Sequence, residues 1–288
     1  SEAPSAAHAQ GPARGHPADP PETPRFVFLA SDMRFRDQWV FDTGKRQVGS
    51  GPAGHAPLGD WTLAQAVAAS SCVPGAFGVV HTTWEPGELT GGSYAEPDRD
   101  RLVREIDLSG GGVFDNRGLE PVWRDRGTIL VSAAAPSFKP DPDVGWLWSA
   151  LRQGVILLEQ ATEVRKRWLV ANFIEEKMKG AYWGIASRPA SYELKPEPDA
   201  YSYPLIRDFI APVRIDLDVF SPGEIGILEN HGYLMAEIAL AKHGKDLVGD
   251  TPPALELPHP TWRDEVKAAG ALRDSGKTRI FFRPRVKP

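Results

Sequence analysis

The chain carries one cysteine, Cys72, in 288 residues, so it can build neither an internal disulfide framework nor a multi-cysteine metal site. It has no surplus of basic charge: 33 Lys and Arg stand against 38 Asp and Glu, and the net charge of -5 removes the electrostatic footprint that a nucleic-acid partner needs. It has no apolar run approaching the roughly 18 residues that a membrane-spanning helix requires. The seven histidines are scattered, with no pair at metal-ligand helical spacing, so neither a zinc site nor any other cofactor is expected. These shortages predict a cytoplasmic protein, soluble or at most peripheral to a membrane.

What is present is an ordinary globular composition, 41% apolar and 25% charged, in a chain long enough for one large domain or two small ones. Residues 1–24, dominated by Ala, Pro, Gly and His, have too little apolar surface to offset ordering entropy and are expected to be a disordered linker. Order should begin at Arg25-Phe26-Val27-Phe28-Leu29-Ala30, an aromatic and β-branched run that predicts a buried strand, followed by a second strand at Gln38-Trp39-Val40-Phe41. The Gly/Pro-rich segment from Gly49 to Gly59 is expected to be a loop. Thr62 to Ala69 has helix formers with Asp60 or Thr62 as cap, and Pro74 ends it. Further strands are expected at Leu102 to Leu108 and Thr128 to Ser132, with a helical turn around Leu119 to Arg124 between them. The order of elements suggests an α/β sheet.

Beyond Pro142 a long helical stretch from Trp146 to Lys179 mixes Val155, Leu158, Trp168, Ala171 and Phe173 with charges, as one or two amphipathic helices do. Ser221-Pro222-Gly223-Glu224 combines an N-cap serine, proline at the first helical position and a glutamate placed for a capping box, so a helix should run from there to His243 and close at Gly244. The segment from Thr251 to Pro288 is rich in proline and charge and carries no functional signal.

Ester hydrolysis by a serine enzyme needs a nucleophile on a tight turn, a base, and backbone N–H groups aimed at the developing oxyanion. A strand ending in several glycines lets backbone approach a substrate closely. Gly110-Gly111-Gly112, after a strand ending at Leu108, fits such a site, and a tight loop of no catalytic purpose accounts for the same residues equally well.

The flanks bear on that choice. Gly110-Gly111-Gly112-Val113-Phe114-Asp115-Asn116-Arg117-Gly118-Leu119-Glu120-Pro121 resembles the aspartate-glycine-glycine motif and following turn of patatin-like phospholipases. Pro24 to Met33 looks like the strand after the family's nucleophile helix, and Ala66 to Gly75 looks like its alanine-serine-proline-glycine element. Arg167-Trp168-Leu169, Gly180 to Gly184 and Leu228 to Tyr233 are similar to the C-terminal extension of bacterial members, so the resemblance covers Arg25 to His243.

The resemblance implies a lipid acyl hydrolase with a Ser–Asp dyad on a three-layer α/β/α fold. Here the sheet would be incomplete at its N-terminal side and followed by a helical C-terminal extension. The implied division is a linker over residues 1–24, the α/β part over 25–140, the extension over 141–250 and a tail over 251–288. Two departures bear on activity. Nothing in residues 1–24 matches the family's nucleophile elbow, and Gly110 stands where the motif aspartate belongs. Loss of one member of a catalytic unit costs roughly four to six orders of magnitude in rate, so the chain alone is expected to be inactive.

Two carboxylates flank the lost position: Asp107 on the preceding strand and Asp115 in the following turn, the latter expected to bond nearby backbone N–H groups. Gly91-Gly92-Ser93-Tyr94-Ala95 imitates a nucleophile elbow but lacks the strand-turn-helix setting that places Ser93. Cys72 is expected to be packed rather than reactive. Trp146, Trp148, Trp168, Tyr182 and Trp183 suit either a core or a lipid-facing surface. The expected partners are a lipid or acyl ester, if an N-terminal half completes the site, and a protein docked on an exposed sheet edge. The alternative function is that of a non-catalytic pseudoenzyme binding lipid or protein.

Overall fold

The computed structural model describes residues 24–74, 77–134, 146–214, 219–248, 256–273 and 275. The expected linker (except Pro24), Gly75, residues 251–255, 274 and 276–288 of the tail, and the side chains of Trp146, Trp148 and Val155 lie outside the described residues. The chain is a mixed α/β protein that divides into two compact units, Ser1–Phe114 and Asp115–Pro288. No helix among the described residues is long and apolar enough to cross a membrane.

The first unit contains β1 (Val27–Asp32), β2 (Asp37–Asp42), β3 (Gln47–Ser50), β4 (Gly54–Pro57), α1 (Leu63–Ser70), β5 (Val80–Thr82), α2 (Asp98–Leu102) and β6 (Ile106–Gly110), and its last residue, Phe114, lies in the helical turn α3 (Gly112–Asp115). Its sheet runs β4-β3-β2-β1-β6-β5 with every neighbouring pair antiparallel. Trp39 and Phe41, two residues apart on β2, share one face of the pleat and are both buried. They join Ala30, Val48, Ile106 and Leu108 in a core that also takes in Ala66 and Ala69 of α1. Each large apolar side chain buried in this way contributes about 1.5–3 kcal/mol.

Aspartates shape both turns after β1 and β2. Asp32 Oδ1 accepts the amides of Arg34 and Phe35 at 2.9 and 3.1 Å, and Asp42 Oδ1 accepts those of Gly44 and Lys45, both at 3.0 Å. The Thr62 hydroxyl caps α1 in a reciprocal box with Gln65.

Two expectations need correction here. The segment from Gly49 to Gly59 is not a loop: β3 and β4 form a hairpin through it, because Val48 and Ala56 pair across the ladder and are both buried. The strand expected from Leu102 begins only at Ile106, and Asp98–Leu102 is helical instead. Buried Arg99 explains this. Its guanidinium donates to the carbonyls of Ala53 (3.0 Å), Pro86 (3.4 Å) and Leu89, and so holds α2 against two loops.

The second unit contains β7 (Thr128–Ala133), α4 (Trp146–Ile174), β8 (Lys179–Gly184), α5 (Tyr203–Leu205, continuing into a π turn over Ile206–Ile210), α6 (Pro222–His243), α7 (Lys245–Val248) and α8 (Glu265–Arg273). β7 and β8 pair in parallel over six residues each, with α4 as the connection between them. The expected helical stretch is one helix that ends at Ile174, and Lys179 opens a strand that the charged composition concealed. α6 begins at the expected capping box, with Glu224 accepting the Ser221 amide at 2.7 Å, and ends before Gly244. Buried Glu224 also pairs with Arg214 and accepts the Ser275 hydroxyl at 2.5 Å. Part of the tail is folded: α8 buries Ala268 and Leu272 in a cluster with Ile206, Ile210 and Ile227.

Candidate functional site

The glycine motif sits where β6 passes the exit of α1. The Gly110 N–H donates to the Cys72 carbonyl at 2.7 Å, and the Gly111 N–H donates to the Ser70 carbonyl at 3.1 Å. The Ser109 hydroxyl also donates to Cys72 O, at 3.3 Å. From β1, the buried Ser31 hydroxyl donates to Gly110 O at 2.8 Å and accepts the Phe114 N–H at 3.0 Å. The end of β6 is therefore fastened on one side to the α1 exit and on the other to β1.

This packing explains the glycines at 110 and 111. A Cβ on Gly110 would stand 2.7 Å from Cys72 O and 3.2 Å from Cys72 C, and a Cβ on Gly111 would overlap the Leu29 carbonyl. Backbone crosses backbone here too closely for any side chain. Of the two readings that the sequence left open for these glycines, the packing favours the tight crossing at Gly110 and Gly111, whose N–H groups are both spent on main-chain acceptors. Gly112 opens α3 and is exposed.

The two candidate carboxylates are likewise engaged. Asp107 is paired across the sheet with His81 on β5, 2.5 Å from its Nδ1, and lies 3.1 Å from an Arg34 guanidinium nitrogen. His81 is largely exposed, so this is a surface cluster. Asp115 belongs to the second unit and is buried. Its Oδ1 accepts the Arg117 amide at 3.1 Å and its Oδ2 the Glu120 amide at 2.9 Å, with the Arg165 guanidinium at 3.9 Å. Those bonds build the turn that follows the motif.

Ser93 is exposed, in the loop between Thr82 at the end of β5 and Asp98 at the start of α2, where its N–H donates to Gly51 O at 3.1 Å, outside any strand-turn-helix junction. Cys72 is 8% exposed, and its thiol donates to Ala68 O at 3.2 Å. Among the described aromatics, Trp168 packs edge-on to Trp123 at 5.2 Å, and Tyr182 lies under the Arg117 guanidinium at 5.2 Å. Trp183 borders the cluster of Ala181 and Met235.

The structure thus brings Gly110 and Gly111 together with Ser31, Ser70, Ser109 and Cys72, and leaves Asp107, Asp115 and Ser93 in other roles. Ser31 and the Ser70 and Cys72 carbonyls had no local signal in the sequence, since their part in the site arises only when β1, α1 and β6 pack. No group of three His, Cys, Asp or Glu able to hold a metal ion occurs among the described residues. The chain matches no family model, no curated protein and no solved structure.

Proposed function

We propose that the chain is a non-catalytic relative of patatin-like acyl hydrolases, in which the region of the family's aspartate motif serves as a structural crossing. In this reading the antiparallel sheet and the β7-α4-β8 unit derive from a three-layer α/β/α scaffold, and the chain by itself hydrolyses no ester. The observation that carries the reading is Gly110, whose N–H and whose space for a Cβ are both taken by Cys72. A base at that position would have to displace the α1 exit. The sequence likeness from Arg25 to His243 supports the ancestry, and the engagement of Asp107 and Asp115 supports the loss of chemistry.

The test is hydrolysis of p-nitrophenyl esters and of phospholipid by the purified chain. The expected rate equals that of buffer, and Ser93→Ala leaves it there. Turnover that disappears in Ser93→Ala would overturn the proposal.

A second reading is an acyl hydrolase completed by another polypeptide segment. It is favoured by the two-strand parallel pair, which leaves a strand edge unpaired among the described residues, and by exposed Leu130, Ile156, Leu157 and Ile174. Esterase activity that arises only on co-expression with a segment carrying a nucleophile elbow would select it.

A further inference from the structure

A groove of about 440 Å³ opens on the first unit between the end of β4, the start of α1 and the loop after β5. That volume falls within the range of roughly 300–1,000 Å³ typical of small-molecule sites. Its walls include Trp61 and Trp84, the carboxylates Asp60 and Glu88, and Gln65, and no basic side chain among the described residues lines it.

The walls are held in place. Arg99 ties the loop of Pro86 and Leu89 to Ala53 at the β3–β4 turn, and His55 and Thr90 exchange backbone bonds of 2.8 and 2.9 Å. Trp61 leans on buried Phe41 at 5.0 Å between ring centroids, and Trp84 on buried Trp39 at 5.9 Å. The Trp84 Nε1–H is covered and has no hydrogen-bond partner among the described residues, so Trp84 shows the groove ring carbon rather than its polar edge.

The chemistry of the lining selects the ligand. The Thr62–Gln65 box takes up the Thr62 and Gln65 amides at the α1 N-terminus, and the two carboxylates repel an anion. Neither Asp60 nor Glu88 has an ion-pair partner among the described residues. Glu88 Oε2 accepts only the Glu85 amide, at 2.7 Å. Indole surface attracts a cation through the ring quadrupole, most strongly one whose charge is spread over alkyl groups that tolerate desolvation. We propose that this groove binds an alkylated ammonium group, with Trp61 and Trp84 as the aromatic walls and Asp60 and Glu88 as the counter-charge. The site is independent of the family reading above and stands whether or not that reading does.

The test is titration of the full chain with tetramethylammonium and with choline at constant ionic strength, followed by tryptophan fluorescence and calorimetry. The uncharged isostere 3,3-dimethylbutan-1-ol is the control. Saturable binding is expected with a dissociation constant on the order of 1 mM, and the isostere should bind at least about tenfold more weakly. The double variant Asp60→Asn/Glu88→Gln alters only exposed side chains and should weaken binding about fivefold, whereas Trp84→Leu should weaken it at least about tenfold. Co-sedimentation with phosphatidylcholine against phosphatidylglycerol vesicles tells a lipid headgroup from a free solute, and either source is consistent with the site once choline saturates it. Absence of saturation by both cations, equal binding of the isostere, or unchanged affinity in the carboxamide variant would each overturn the proposal.

Discussion

Gly110→Ala should loosen the first unit at one identifiable place. The added methyl would stand 2.7 Å from Cys72 O, and that atom is main chain, so it cannot rotate aside as a side chain could. Overpacking of this kind costs about 1–3 kcal/mol. Displacing the carbonyl also lengthens the 2.7 Å bond from the Gly110 amide, and a buried donor left without its acceptor costs about 1–3 kcal/mol more. Replacing glycine narrows the unfolded ensemble and returns about 0.4–1 kcal/mol. The net loss is about 1–6 kcal/mol, and Gly110→Asp should lose more because its carboxylate enters a buried position.

Cys72 makes the effect local to read, because it is the only thiol and its own carbonyl is the displaced group. A loss of about 2 kcal/mol raises the open population roughly thirtyfold, so Ellman's reagent should label Cys72 correspondingly faster under native conditions. The urea midpoint of the first unit should fall by about 1–2 M for a denaturant slope typical of its size. If Gly110→Ala and Gly110→Asp both keep the wild-type midpoint and the wild-type labelling rate, the crossing is not what requires glycine. The account of the motif as structural would then be wrong.

Asp115→Ala should destabilise the second unit by about 2–4 kcal/mol, because it strips the acceptors from two backbone amides at once. Asp115→Asn, which keeps one carboxamide oxygen, should lose less when urea midpoints are compared. His231 is buried with its Nε2 2.9 Å from Ile185 O, and burial holds its basicity below the ordinary histidine value. The unfolded chain therefore takes up a proton near pH 6.5 that the folded chain refuses, so stability falls as pH drops below about 6.5 toward the folded value. His231→Gln should reduce that dependence in urea titrations between about pH 7.5 and 5.

How legible each element was in the sequence follows from where its determinants lie. α6 could be read end to end because Ser221, Pro222, Glu224 and Gly244 are local signals whose partners sit within a few residues. β1 and β2 were visible for the same reason, as short aromatic and β-branched runs. β3 and β4 were hidden because glycine and proline dominate the segment from Gly49 to Gly59, while what makes them strands is the pairing of Val48 with Ala56 across the hairpin. α2 was hidden because what holds it is buried Arg99, whose acceptors lie 10 to 46 residues away in sequence. β8 was hidden by its neighbours, since Lys177 and Lys179 continue the charge pattern of α4 and its partner β7 lies across a 29-residue helix.

The site was legible in a different and more deceptive way. A strand ending in three glycines satisfies two physical demands equally: backbone open to a ligand, and backbone pressed against other backbone. Local sequence cannot separate them, because the deciding atoms are the carbonyls of Ser70, Cys72 and Leu29, some 38 to 82 residues upstream. The two roles can belong to one scaffold, since a glycine required for close approach of backbone to backbone is required whether or not the neighbouring loop binds a ligand. On that argument Gly111, whose Cβ would overlap main chain whatever occupies position 110, is tied to the fold. Position 110 is tied to the fold in the same way, since Cys72 O takes both its N–H and the space that a Cβ would need.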